Sequence, residues 1–266
     1  MAGTSDSLRM AVLGLGEAGA RIAADLRDLG VTVRGHDPIA VDALAGVERV
    51  GTVAEAVASA DVVLALVPAS AVVTVATEAG PALAPGAIYA ECAASSVAVK
   101  RAAADHVGEA GGDFADVAIL GVVPATGIRT PALLSGPGAL RLEPILTGLG
   151  MPVAVVSDRT GDAAGRKLLR SVFMKGLAAV IGEAMEAAHR LDCESWVLAQ
   201  IEDELRRADA SLVARLQEGT MRHARRRVDE MAGALELLEE HGLPAEVTGA
   251  TLARLTRLAE TGGVVE

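Results

Sequence analysis

Short apolar runs alternate with stretches of helical periodicity over the first 158 residues, and after that only the helical period remains. Residues 9–14 read as a buried strand. A glycine-rich turn follows, then a helical pattern over 17–29 that Gly30 ends, since glycine is favoured just past a helix C-terminus. Further strands are expected from Val31, over 61–67 up to Pro68, and over 87–91, 114–119, 133–136 and 153–156. Strands alternating with helices predict an α/β fold with a doubly wound parallel sheet. From Gly161 to about Arg190 the apolar pattern predicts one unusually long helix. More helices follow over 192–209, 211–241 with one break, and 245–260, with Gly242-Leu243-Pro244 as a stop-and-restart signal. The boundary falls inside Ser157-Asp158-Arg159-Thr160, giving a sheet-containing domain over 1–158 and an all-α domain over 159–266.

Composition narrows this picture. Hydrophobic residues make up 51% of the chain and aromatic residues only 2%, so the core has to be built from Ala, Val and Leu. The formal net charge is -11, which repels phosphate backbones and argues against a nucleic-acid partner despite the local run Arg225-Arg226-Arg227. Cys92 and Cys193 have neither disulfide-framework nor zinc-site spacing and read as free thiols in a reducing cytoplasm. No His/Asp/Glu cluster has metal-ligand spacing. Residues 1–7 lack the charged-then-apolar pattern of a secretory signal. No apolar run reaches the ~18 residues of a membrane span.

The turn after the first strand reads Gly14-Leu15-Gly16-Glu17-Ala18-Gly19, a full G-x-G-x-x-G between strand and helix. Gly14 permits the tight turn, Gly16 lets the backbone approach a pyrophosphate, and Gly19 lets helix and strand pack closely. The amides at the helix N-terminus then face the anionic phosphates. Asp37 ends the second strand, where a carboxylate accepts hydrogen bonds from ribose hydroxyls and repels a 2′-phosphate. The cofactor is therefore expected to be NAD, with Arg34 and His36 nearby leaving NADP open. These features predict a Rossmann-type dinucleotide-binding domain.

With these residues the chain resembles the β-hydroxyacid dehydrogenase family, which includes 6-phosphogluconate and 3-hydroxyisobutyrate dehydrogenases. The resemblance covers nearly the whole chain. Val67-Pro68 resembles the family's cofactor-contacting loop. Glu91-Cys92-Ala93-Ala94-Ser95-Ser96 stands where the family has a D-x-S-T-type segment near the nicotinamide, which implies cofactor contact for Ser95 and substrate contact for Ser96. Gly161-Asp162-Ala163-Ala164-Gly165-Arg166-Lys167 resembles the G-x-G-x-x-x-K segment whose lysine is catalytic. Two departures stand out. The family's D-x-P-V-S-G-G substrate loop is here reduced to Asp116 and Gly121, and its Asn four residues after the lysine is Ser171. The stretch His223-Ala224-Arg225-Arg226-Arg227-Val228-Asp229-Glu230-Met231 resembles the H-A-x-R-R-x-x-E-M signature of a poorly characterised prokaryotic subgroup with a 6-phosphogluconate-dehydrogenase-like C-terminal domain.

The resemblance implies hydride transfer between nicotinamide and a small anionic hydroxy acid or oxo acid. That chemistry needs a group to hold the hydroxyl proton, and a lysine with lowered proton affinity suits it. Lys167 has Arg166 and Arg170 beside it in sequence and opens the long helix. Lys167, Ser171 and Lys175 are spaced by four and share one helix face. Ser171 is expected to orient substrate, with Lys175 and Arg170 binding its anionic group. His223, Arg226 and Glu230 are spaced as a second stripe, from which His223 or Arg226 reaches substrate or which is simply a solvated, ion-paired face. Imine reduction and a non-catalytic dinucleotide sensor or scaffold are the alternatives, and Lys167 argues against both. The apolar face of the long helix and the resemblance together imply a homodimer.

Overall fold

A computed structural model describes residues 8–39 and 44–261 of the protein. The segment read above for a secretory signal, 1–7, lies outside the described residues. The chain separates into two compact units, Met1–Arg170 and Ser171–Glu266.

Among the described residues the first unit holds eight strands: β1 (Arg9–Leu13), β2 (Thr32–His36), β3 (Glu48–Arg49), β4 (Val62–Ala65), β5 (Ile88–Glu91), β6 (Asp113–Ile119), β7 (Ala132–Ser135) and β8 (Val153–Ser157). Its helices are α1 (Glu17–Asp28), α2 (Val53–Val57), α3 (Val72–Ala79), α4 (Val97–Glu109), α5 (Val123–Thr126) and α6 (Ala139–Gly148), and α7 (Asp162–Arg190) begins here. The strands form one sheet in the order β3-β2-β1-β4-β5-β6-β7-β8. Strands β4 and β5 are buried at every position, as expected of strands covered on both faces. Alternate residues feed two cores. Met10, Val12 and Leu64 pack on one face with Ile22 and Leu26 of α1 and Leu142 and Leu146 of α6. Ala11, Leu13 and Val63 pack on the other with Val57 of α2, Ala76 of α3 and Val107 of α4. The sheet reverses its winding beside β1, which creates the crevice at the carboxyl ends of the strands where ligands bind in such folds.

Two features depart from a simple parallel sheet. The short β3 extends the edge beyond β2. Strand β7 runs antiparallel to β6 and parallel to β8. A parallel return needs a crossover of about a dozen residues, usually built around a helix. The segment between β6 and β7 carries only the four-residue α5 and a three-residue 3-10 turn, so the chain reverses instead.

The second unit is helical. It takes the rest of α7, then α8 (Glu194–Arg206), α9 (Ala210–Arg222), α10 (Ala224–Glu240) and α11 (Glu246–Glu260). Leu238, Leu255 and Leu258 are buried on α10 and α11, while α8 and α9 bury no residue fully. Val172, Phe173, Trp196 and Val213 stand exposed, Trp196 at 67%. The Glu183 carboxylate caps α11, accepting from Val247 N at 2.7 Å and from Thr248 N at 2.8 Å. The break between α9 and α10 falls at His223, whose φ of -118° and ψ of 22° leave the helical region. His223 is thus a joint rather than a member of the stripe expected with Arg226 and Glu230. Among the described residues no helix is long and apolar enough to cross a membrane.

Candidate active site

The turn between β1 and α1 has room only for glycine at two of its three positions. Gly14 has a φ of +86°, and a Cβ there would stand 2.6 Å from the Leu66 carbonyl oxygen. A Cβ on Gly19 would collide with the Gly14 carbonyl oxygen. A Cβ on Gly16 would meet nothing within 4 Å, so the open space lies against that backbone. Helix α1 begins after Gly16 with no side chain capping its amides, and Glu17, Ala18 and Gly19 make its first turn. Uncapped amides over open space suit a bound diphosphate.

At the end of β2, Asp37 accepts from the Leu15 amide at 2.7 Å and ties the glycine turn to the neighbouring strand. Arg34 is engaged elsewhere, donating to Glu48 at 2.9 Å and to the Ser59 hydroxyl at 2.9 Å. His36 Nδ1 lies 3.2 Å from the Val50 carbonyl oxygen. Val67 packs close to Gly14, and Pro68 follows it on the surface.

One register line crosses the sheet from this end to a second cluster. His36, Leu13, Ala65, Glu91, Asp116 and Ser135 stand side by side on β2, β1, β4, β5, β6 and β7. Three strand spacings, roughly 14 Å, separate Leu13 before the glycine turn from Asp116. Glu91 and Asp116 are both 0% exposed, and Lys100 of α4, at 1%, reaches between them. Its ammonium pairs with the Glu91 carboxylate, lies 3.1 Å from Asp116 Oδ1, and donates to the Glu91 carbonyl oxygen at 2.9 Å. One hydrogen bond and two ion-pair contacts thus hold the ammonium. Burial by itself would lower the proton affinity of Lys100, but Glu91 and Asp116 overcome it and hold the amine above the usual lysine range. Burial pushes the Glu91 carboxyl up against the pull of Lys100.

The same cluster fastens the start of α7. Asp116 Oδ2 accepts from the Ala164 amide at 2.9 Å and from the Ser135 hydroxyl at 3.1 Å, while Ser135 Oγ accepts from the Ala163 amide at 3.0 Å. The first-turn amides of a helix have no partners within it, and a carboxylate there also complements the helix dipole. Lys167 follows one turn later and is half-buried. Burial pushes its ammonium below the usual lysine range, and Lys100 adds to the push against the opposing Cys92, Glu91 and Asp116. Among the described residues no hydrogen bond or ion pair engages its amine. The cation acting on Lys167 is therefore Lys100, where the sequence pointed to Arg166 and Arg170, both exposed.

The remaining candidates differ in exposure and in partners. Ser95 is buried with an unpartnered hydroxyl, whereas the Ser96 hydroxyl caps α4 by accepting from Val99 N at 3.3 Å. Gly121 is exposed just past β6. Arg170 and Lys175 are exposed on α7, and Ser171 is half-buried. Arg226 pairs with Glu230 at 3.3 Å with both side chains exposed. Burial and the neighbouring Glu91 push the Cys92 thiol up to about 12, which removes it as a nucleophile near neutral pH. Among the described residues no group of three or more His, Cys, Asp or Glu could hold a metal ion. The sequence did not single out Lys100 or Ser135. The available signal was a lysine on the buried stripe of an amphipathic helix, with Ala103 and Val107 next in that stripe.

Comparisons with known proteins agree with this layout. The model of the NAD binding domain of 6-phosphogluconate dehydrogenase matches residues 9–156, and a domain of unknown function, DUF1932, matches residues 188–258. An uncharacterised 28.5 kDa protein in the 7S RNA 5′ region of Methanothermus fervidus is 29% identical over 130 residues, 49% of this chain. That match spans 50% of the relative's length. The structure of a conserved protein of unknown function, described as revealing similarity with 3-hydroxyacid dehydrogenases, has a TM-score of 0.63 at 28% identity, covering 97% of this chain and 100% of that one. An imine reductase variant from Myxococcus stipitatus, in complex with NAD+, has a TM-score of 0.81 at 20% identity, covering 97% and 95% of the two chains, and shares the fold. The chain belongs to the dinucleotide-binding dehydrogenase family defined by the NAD binding domain of 6-phosphogluconate dehydrogenase, here joined to a DUF1932 domain.

Proposed function

We propose that the protein is an NAD-dependent oxidoreductase acting on a small anionic hydroxy acid or its oxo partner, with Lys167 as general acid/base. The observation that carries this reading is the half-buried, unpaired amine of Lys167 on a helix turn pinned to the sheet by Asp116 and Ser135. A bound nicotinamide would accept or return the hydride. Lys167 takes the hydroxyl proton during oxidation and gives it back during reduction. Residues 14–19 hold the diphosphate, Asp37 accepts from the ribose hydroxyls, and Val67, Pro68 and Ser95 contact the rest of the dinucleotide. Arg34, already bound to Glu48 and Ser59, is poorly placed to reward a 2′-phosphate, which favours NAD over NADP.

Ser171 orients the substrate, and Lys175 with Arg170 attracts its anionic group. Gly121, Ser96, His223 and Arg226 are further substrate-contact candidates, although Arg226 has an ion pair of its own. In this reading residues 1–158 bind the dinucleotide and residues 159–266 serve substrate and dimer. The exposed Val172, Phe173 and Trp196 favour pairing with a second copy, since monomers seldom leave such side chains in water. The acidic total charge disfavours nucleic acid, and the proposed compartment is the cytoplasm.

The test is cofactor turnover across a panel of hydroxy acids, oxo acids and cyclic imines. Turnover of a hydroxy acid that disappears in Lys167→Met supports the proposal. Turnover of imines alone, or cofactor binding with no turnover on any member, replaces it with the imine-reductase or the sensor reading.

A further inference from the structure

Of the 24 Lys and Arg residues in the chain only three are lysine: Lys100, Lys167 and Lys175. The two cations differ in kind. Arginine stays protonated in proteins, while the compact ammonium of lysine gives up its proton when it is desolvated or crowded by another cation. Two of the three lysines are linked through the cluster of Glu91 and Asp116. Lys100 is fixed by a hydrogen bond to the Glu91 carbonyl oxygen and by ion pairs with the Glu91 and Asp116 carboxylates. Asp116 spends its second oxygen on the Ala164 amide, three residues before Lys167, or ~4.5 Å along the helix axis. The buried ammonium is thus fastened, through one carboxylate, to the helix turn that carries the free one.

We propose that Lys100 is a positioning residue for Lys167: a buried ammonium that locks the first turn of α7 through Asp116 and presents its fixed charge to the Lys167 amine. The proposal rests on the reading of Lys167 as the proton-transfer group. The groups acting on Lys167 are Lys100 from α4, Glu91 at the end of β5, Cys92 just beyond it, and Asp116 from β6. Cys92 stays a neutral thiol in the working range. Burial does most to lower the proton affinity of Lys167, the Lys100 cation adds to it, and Cys92, Glu91 and Asp116 oppose it. A neutral residue at 100 would fill the space and remove that effect. It would also leave two buried carboxylates uncompensated, so the arrangement joins folding to proton affinity.

Having three lysines makes the test direct. Lysine-selective 13C labelling gives three side-chain resonances, assigned by substitution, and their pH titration needs no substrate. In the wild-type protein the Lys167 signal should titrate below the ordinary lysine range, while Lys100 stays protonated over the whole range in which the protein is folded. In Lys100→Met the deprotonated fraction of Lys167 at neutral pH should fall about tenfold, and Lys100→Arg should keep it near wild type. If Lys100→Met does not fold, Glu91→Gln combined with Lys100→Met removes the cation together with its nearest counter-charge and should move Lys167 in the same direction. A Lys167 that titrates as an ordinary lysine in the wild type overturns the proposal. So does an early midpoint that survives either removal of Lys100. The hydride-transfer reading is judged separately, by the turnover of Lys167→Met.

Discussion

The Asp116 carboxylate accepts a hydrogen bond from the Ala164 amide at 2.9 Å, across 48 residues of sequence. That bond joins the sheet to the turn before Lys167, while the other carboxylate oxygen holds Lys100. Replacing Asp116 with Ala leaves a buried ammonium short of one partner and a helix amide with none. The expected cost is about 3–5 kcal/mol. Asp116→Asn, which keeps an acceptor for Ala164 but loses the charge, should cost about 1–3 kcal/mol. Urea unfolding midpoints of the two variants check the order.

The proposed acid/base role of Lys167 predicts a pH dependence of turnover. Oxidation needs the neutral amine, so its rate should rise as pH passes through the lowered Lys167 value, before an ordinary lysine would titrate. Reduction needs the ammonium and should fall over the same window. Lys167→Met should lower kcat by about 10²–10⁴ and leave the cofactor Kd within about twofold. Lys167→Arg keeps the cation but cannot give up its proton, and should be as inactive in oxidation as the Met variant. Steady-state pH profiles and fluorescence titration with cofactor read both effects.

Two glycines of one turn should fail in different ways. Gly19→Ala places a methyl against the Gly14 carbonyl and should destabilise the protein by about 3 kcal/mol or more. Gly16→Ala meets open space, so its thermal midpoint should stay within a few degrees while cofactor affinity falls about tenfold or more. Thermal melts with and without NAD separate the two outcomes.

Cofactor choice is expected to turn on Asp37. Asp37→Asn keeps an acceptor for the Leu15 amide, so the glycine turn holds, but it removes the charge that repels a 2′-phosphate. NAD affinity should fall by about tenfold and the NADP-to-NAD preference should rise by at least as much. Parallel binding titrations with the two cofactors measure the ratio, and an unchanged ratio rejects the role given to Asp37.

Glu183 should make the helical unit acid-sensitive. Burial pushes its carboxyl up, but the bonds from Thr248 and Val247 outweigh it and hold it below the usual carboxylate range. A depressed carboxyl stabilises fully above its unfolded value of about 4.3 and loses that contribution as pH falls through its folded value. Glu183→Ala should cost about 1–2 kcal/mol at neutral pH and progressively less under acid, read by unfolding curves at a series of pH values.

Much of the fold was legible in the sequence because its signals are local. Strand-length apolar runs, the period of helix α7, the Gly30 and Gly242 stops and the six-residue glycine turn each depend on neighbours a few positions away. Asp37 was legible for the same reason, as the residue that ends the strand after that turn. The direction of β7 was not, because an apolar run of four reads the same whether its strand goes up or down, and only the short connection from β6 decides. Nor was the buried charge that acts on Lys167. The row Glu91, Asp116 and Ser135 exists only in strand register, and Lys100 enters it from a helix. The sequence alone determined which elements form and where a dinucleotide turn must lie, since backbone sterics and periodicity are set by adjacent residues. Only the tertiary structure decided which charges share a water-free space, because burial and Coulomb energy depend on distances that chain order does not contain.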